Sequence, residues 1–120
     1  MNSDSFKQRT FEFASVIIDI AEAFPNNMSS NVVRRQMIRS ATSVGANYRA
    51  ACLAKSTADF IHKMGTVEEE ADETAFWLEM SIAKNFAETS KLEKYLREAE
   101  ELVAITVASI KTARNRTKNK

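Results

Sequence analysis

Glycine and proline are scarce in this sequence, and this scarcity limits the folds open to it. The 120 residues include 2 Gly and 1 Pro. Tight β-hairpin turns need residues that tolerate positive φ, chiefly glycine, so a fold built on hairpins is disfavoured. A few long helices joined by short connections are the natural alternative. At this length we expect residues 1–120 to form a single domain.

The first two helices are predicted from apolar residues that recur every three or four positions. We expect Ser5 to cap the first helix and Pro25 to end it, because proline lacks an N–H and clashes with the preceding turn. Short polar side chains in residues 26–30 can satisfy the free N–H groups at the start of the second helix. That helix is expected to run to about Lys55.

The last two helices follow from the same period and from capping patterns. The third is expected to begin at Ser56 or Thr57, and a break near Thr89 should precede a capping box at residues 90–93. Connections this short force neighbouring helices to run antiparallel. The sequence therefore predicts an all-α, antiparallel, up-down-up-down four-helix bundle. From about residue 112 we expect a flexible basic tail.

Helix one carries a second apolar patch, rotated away from its main stripe. Its members are Phe11, Ala14, Ile18 and Ala21. A surface helix ordinarily has a single apolar stripe, and large exposed apolar patches are uncommon on monomers. The patch indicates a subunit interface with contributions from Phe11 and Ile18, and hence a homo-oligomer. The alternative is one broad stripe packed between two neighbours of the same chain.

Basic residues form local blocks although the whole chain is nearly neutral. Its 17 Lys+Arg and 16 Asp+Glu give a formal charge of +1, which disfavours nucleic-acid coating by bulk electrostatics. Helical geometry places Arg35, Arg39 and Arg49 on one side of helix two. The guanidinium fork suits phosphate, so these arginines, with Arg114 and Arg116 near the C-terminus, are candidates for sequence-independent contact with RNA or DNA.

Each basic block also has a simpler interpretation. The helix-two arginines can form a solvated face or pair with carboxylates of the acidic third and fourth helices. Cations in the last turn of a helix complement its dipole, which already explains Arg114. Arg116 lies beyond that explanation and suits a flexible basic arm or solubility.

Catalytic and metal-binding residues are too few for a conventional active site. A di-metal carboxylate bundle needs Glu-x-x-His on two helices, whereas this chain has one His and one Cys. Neither a phosphate-binding glycine loop nor a nucleophile elbow is present. We therefore expect no enzyme activity, no metal and no cofactor. The start of the chain lacks signal-peptide features, and no run of about 18 apolar residues exists, so a cytoplasmic location is expected without membrane attachment.

Two segments, residues 36–51 and 68–79, resemble a bacterial family. They read QMIRSATSVGANYRAA and EEEADETAFWLE. The chain is similar to the four-helix bundle proteins encoded by intervening sequences of large-subunit ribosomal RNA genes, often labelled S23 ribosomal protein. The accessory variability determinant of diversity-generating retroelements is related to them. This resemblance implies a homopentameric ring or barrel, and it implies nucleic acid or a protein such as a reverse transcriptase as partners.

The shared polar positions have a structural interpretation. Gln36 and Asn47 would be costly to bury without hydrogen bonds, so we expect them to join a network that fixes helix register. Their expected counterparts on helix three are Glu70 and Glu73, with Arg39 paired to one carboxylate.

Three functions stay open at this point. The first is a non-enzymatic homo-oligomer, expected to be pentameric, that binds nucleic acid through basic stripes. The second is a protein scaffold or adaptor that does not bind nucleic acid. The third, which the ligand count disfavours, is a ferritin-like metal-carboxylate enzyme.

Overall fold

The computed structural model describes residues 2–118, which hold four helices and no strand. In chain order they are α1 (Ser3–Glu22), α2 (Met28–Cys52), α3 (Thr57–Ala83) and α4 (Thr89–Lys118). Each helix packs against its neighbour in sequence, and α1 also meets α4. The described chain measures 54 × 21 × 21 Å along its principal axes. The predicted all-α fold with four helices is confirmed.

Polar side chains cap the first three helices. Asn2 Oδ1 accepts the backbone N–H of Ser5 at 2.7 Å, and Asn27 accepts that of Ser30 at 2.9 Å. Ser56 Oγ accepts the N–H of Asp59 at 3.0 Å, as the sequence predicted for helix three. The prediction that Ser5 caps α1 is wrong, because Asn2 starts the helix earlier and places Ser5 inside its first turn.

Two further boundaries differ from the sequence prediction. Helix α2 ends at Cys52 instead of near Lys55, with Leu53 as its C-cap. Helix α4 begins at Thr89, so Ser90 lies in the first turn instead of capping it, and its hydroxyl donates to Glu88 at 2.7 Å. In the connection before α4, Asn85 takes φ 57°, a left-handed conformation that asparagine tolerates.

The C-terminal residues are helical where a flexible tail was expected. Helix α4 continues through Lys118, so the prediction is wrong for residues 112–118. Ala113 is buried, and neither Gly nor Pro interrupts the segment. Residues 119 and 120 lie outside the described part of the chain.

The core runs the length of the bundle and is closed by aromatic pairs at both ends. Phe6 meets Tyr48 edge-on with ring centroids 4.6 Å apart, and Phe24 meets Phe86 at 5.4 Å. Between them each helix contributes fully buried side chains, among them Ile17, Met37, Met64, Val67, Leu78, Leu92 and Leu102. The predicted apolar stripes thus face one shared interior.

The two glycines occupy different surroundings inside helices. A Cβ built on Gly45 would lie 3.4 Å from Thr10 Oγ1 of α1, an ordinary contact with the neighbouring helix. A Cβ on Gly65 would meet nothing within 4 Å. Gly45 therefore stands where α1 and α2 approach closely, whereas Gly65 stands in open space.

We predict that Gly65→Ala stabilises the protein by up to about 1 kcal/mol, because alanine loses less backbone entropy than glycine in a helix. The melting temperature should rise by about 4 °C. Differential scanning calorimetry at fixed protein concentration measures this. Gly45→Ala is the matched comparison, whose gain should be smaller because its methyl group must fit against Thr10. A lower melting temperature for Gly65→Ala would contradict the open surroundings of that position.

Candidate interaction surfaces

Arg39 is bound to carboxylates of the neighbouring helix. Its Nη1 lies 2.8 Å from Glu70 Oε2, and its Nη2 lies 2.6 Å from Glu73 Oε2. Its Nε donates to Gln36 on the same helix at 3.4 Å, and the Trp77 indole donates to Glu73 at 3.1 Å. We call this group of five side chains the Arg39 cluster. It ties α2 to α3 through charge-assisted bonds.

Asn47 reaches the Arg39 cluster only indirectly, through Ser43, which also hydrogen-bonds to Glu70. Its side-chain nitrogen donates to the Ser43 carbonyl at 2.8 Å and to the Ser43 hydroxyl at 3.0 Å, both on its own helix. Nearby, the buried hydroxyls of Thr74 and Ser40 join α3 to α2 at 2.8 Å. The structure thus brings Gln36, Glu70 and Glu73 together around Arg39, and it links Asn47 to Glu70 through Ser43.

The charges of the Arg39 cluster stabilise one another. Burial disfavours the ionised form of Glu70, but hydrogen bonds from Arg39 and Ser43 and the charge of Arg39 outweigh it, so the pKa of Glu70 is lowered. The hydrogen bond to Glu70, followed by that to Glu73, raises the pKa of Arg39. Both groups are therefore charged at neutral pH, and Arg39 already has its anionic partners.

The other candidate arginines have no such partners. Arg35 and Arg49 are exposed on α2, and Arg114 and Arg116 are exposed near the end of α4. Within residues 2–118 no carboxylate pairs with any of these four. The predicted helix-two stripe is therefore divided, since Arg39 is engaged while Arg35 and Arg49 are free to contact an anion.

The antiparallel order places the ends of α2 and α4 together. Arg49 lies in the last turn of α2, and Arg114 and Arg116 lie in the last turns of α4. A cavity of about 970 Å³ lies at this end of the bundle. It is lined by Arg116 and by Lys55, which lies in the connection after α2. Sequence reasoning missed Lys55. The predicted antiparallel topology could have located it, since it brings that connection to the C-terminus of α4.

The second apolar patch of α1 is partly covered by α2. Ala14 and Ala21 are buried and Ile18 is half-buried, whereas Phe11 is 67% exposed. Phe11 and Ile18 line a groove of about 330 Å³ between α1 and α2, whose other wall includes Gly45 and Ala46. The two small residues thus belong to the chain's own packing, and the two large ones remain available to another surface.

The residues considered for catalysis do not assemble into a site in the described chain. Cys52 is half-buried beside Tyr48, and burial together with Cys52 raises the pKa of Tyr48 to about 12. Asp59, three residues before the single histidine His62, pairs with Lys63 at 2.6 Å. Residues 2–118 contain no group of three or more His, Cys, Asp or Glu placed to hold a metal ion. No helix within those residues is long and apolar enough to cross a bilayer.

The family follows from comparison with known proteins. The model of the 23S rRNA-intervening sequence protein family matches residues 4–108. This chain belongs to that family. A similar solved structure is a protein of unknown function from the S23 ribosomal protein family of Bacteroides thetaiotaomicron VPI-5482, 33% identical, with a TM-score of 0.84 over 92% of this chain and 99% of that one. No curated protein matches. The resemblance stated from the sequence is confirmed, and neither family description names a catalytic activity.

The Arg39 cluster generates a pH-dependent prediction. Glu70→Gln should lower the free energy of unfolding by about 1–2 kcal/mol at neutral pH, because it leaves Arg39 with a weaker partner. A lowered pKa means that the contribution is complete above the ordinary glutamate value and disappears as pH falls through the native value. The two proteins should therefore converge in stability as pH falls from the ordinary glutamate pKa through the lowered pKa of native Glu70.

Urea unfolding at a series of pH values measures this difference. Glu69→Gln is the matched control, because Glu69 is exposed on the same helix and should change stability little. If Glu70→Gln lowered the free energy of unfolding by the same amount at pH 3 and pH 7, the ion pair between Glu70 and Arg39 would contribute nothing to stability.

Proposed function

We propose that this protein is a non-enzymatic homo-oligomer, a pentameric ring, that binds nucleic acid without sequence preference. The observation that carries the proposal is the contrast among its arginines. Arg39 is neutralised by Glu70 and Glu73, whereas Arg49, Arg114 and Arg116 are exposed near one end and have no carboxylate partner within residues 2–118. Exposed guanidinium groups that lack a carboxylate partner are free to contact phosphates.

Self-association is supported by the apolar groove between α1 and α2. Phe11 is a large apolar side chain that is left 67% exposed at this groove, whereas the neighbouring Phe6 and Phe13 of the same helix are buried in the core. A ring needs two different surfaces that fit each other. Phe76, 49% exposed on α3, lies on the helix diagonal to α1 and offers a second apolar surface.

Repetition around a ring compensates for the small charge of each chain. A formal charge of +1 supplies little long-range attraction. Linked sites act at high effective concentration, so the copies in a ring can gain about a hundredfold in avidity without any new contact. The oligomer and the nucleic-acid binding are therefore parts of the same proposal.

We predict that Ile18→Asp disperses the oligomer, because burying an unpaired carboxylate at the groove is costly. Sedimentation equilibrium should give the wild type several times the chain mass of 13.5 kDa and the variant the mass of one chain. Leu53→Asp is the control, since Leu53 is 83% exposed and lies outside the groove. A monomeric wild type would refute the ring.

For nucleic acid, we predict that Arg49→Gln with Arg114→Gln weakens binding equally for unrelated sequences. It should also reduce the slope of log affinity against log salt, by about 0.7 to 0.9 for each lost phosphate contact. Fluorescence anisotropy measures both quantities. Arg39→Gln is the control and should lower thermal stability without changing the salt slope. If only Arg39→Gln reduced affinity, the assignment of the free arginines would be wrong.

The alternative function is a protein scaffold without nucleic-acid binding. The exposed apolar side chains favour it, because Val32 and Phe76 are 52% and 49% exposed. A partner protein, such as a reverse transcriptase, would then be captured from the native extract even after nuclease treatment. Loss of all captured protein on nuclease treatment would instead favour nucleic acid as the partner.

A further inference from the structure

Within residues 2–118, one end of the bundle carries most of the Lys and Arg side chains that lack a carboxylate partner. It is formed by residues 3–9, 49–63 and 111–118, and we call it the basic end. Its cations are Lys7, Arg9, Arg49, Lys55, Lys63, Lys111, Arg114, Arg116 and Lys118. Its carboxylates are Asp4 and Asp59, and Asp59 is held by Lys63. Arg9 is held by Glu98 and Glu101 of α4.

The other regions of the bundle lack this excess. At the opposite end positive and negative side chains are mixed, for example Arg34, Lys84 and Lys91 with Glu79, Glu88 and Glu93. Arg34 is also occupied there, because its guanidinium donates to the carbonyls of Phe24 and Pro25 at 2.9 and 2.7 Å. The middle of the bundle is acidic, with residues 68–73 on α3. A polyanion would therefore be attracted to the basic end and repelled from the middle.

The basic end also contains two cavities that share lining residues, which together we call the basic groove. The cavity of about 970 Å³ at this end shares Phe60, Ala113 and Arg116 with a second cavity of about 370 Å³ along α4. Apolar side chains of Phe60, Ile105 and Ala113 line it, and Lys55 and Arg116 bring positive charge to it. The groove thus combines an aromatic and apolar lining with cations.

We propose that this groove binds single-stranded nucleic acid, with Lys55 and Arg116 at the phosphates and Phe60 against a base. The inference rests on the proposed function and specifies its site and its form of ligand. Single strands expose both backbone and bases, and proteins that bind them without sequence preference combine cations with aromatic surfaces. In a duplex the bases are stacked inside the helix, so they cannot contact the apolar lining of the groove.

Fluorescence anisotropy with labelled oligo(dT), oligo(U) and a duplex of equal length tests the site. The variants are Lys55→Gln with Arg116→Gln, and Phe60→Leu, which keeps an apolar side chain but removes the ring. Lys84→Gln with Lys91→Gln is the charge-matched control at the opposite end. Thermal melting by circular dichroism verifies that each variant is folded.

Four results are expected. The wild type binds the single strands about tenfold or more tightly than the duplex. The Lys55/Arg116 variant loses about tenfold in affinity. The magnitude of its slope of log affinity against log salt concentration decreases by about 1.4, as two lost single-strand phosphate contacts require. Phe60→Leu weakens binding severalfold without changing the slope, because a stacked ring carries no charge. The control binds like the wild type.

Failure of the site is distinguishable from failure of the proposed function. If none of the three nucleic acids binds, the proposed function itself is wrong. If they bind and the Lys55/Arg116 variant is unaffected, the site is wrong while nucleic-acid binding stands. Equal affinity for the duplex and the single strands overturns the single-strand assignment. It is also overturned if polyglutamate displaces labelled oligo(U) as readily as unlabelled oligo(U) does. Tighter binding of either oligo(dT) or oligo(U) than of the duplex supports the assignment.

Discussion

Short connections between long helices constrain everything else in this structure. Residues 23–27, 53–56 and 84–88 are all that separate the four helices, so each helix must return antiparallel to the one before it. The C-termini of α2 and α4 therefore share one end of the bundle. The basic residues in the last turns of α2 and α4, which are distant in sequence, therefore lie at the same end. At that position they also complement the dipoles of their own helices.

The same constraint decides what each arginine can do. Arg39 lies midway along α2, where the antiparallel α3 presents Glu70 and Glu73. Arg49 lies ten residues further along the same face, where α3 is close to its N-terminus and no carboxylate reaches it within the described residues. Two arginines on one side of α2 therefore have different roles. Arg39 ties α2 to α3, whereas Arg49 stays exposed.

Much of the fold was predictable because it depends on local pattern. The apolar stripes predicted four helices, since a helix must bury one face, and the Ser56 cap followed from its neighbours alone. The caps at Ser5 and Ser90 were wrong because an earlier residue in each case begins the helix. The helical segment 112–118 was missed because part of its stability comes from burial of Ala113, which depends on tertiary packing.

The candidate surfaces were predictable only in part. Pairing of Arg39 with a carboxylate of α3 could be expected from opposite charges on adjacent helices. The groove beside Phe60 could not, because it requires the relative lengths and register of α3 and α4. Likewise, the sequence indicated a second apolar patch on α1 but not that Ala14 and Ala21 would be covered by α2 while Phe11 remained exposed.

The most direct test of where nucleic acid binds is amide hydrogen exchange measured by mass spectrometry with and without a saturating single strand. Contact at the basic end predicts slower exchange in residues 53–60 and 111–118, while the segment around Arg39 and residues 68–73 exchange at unchanged rates. Protection confined to the acidic middle or to the opposite end, in a complex shown to be saturated, would contradict it.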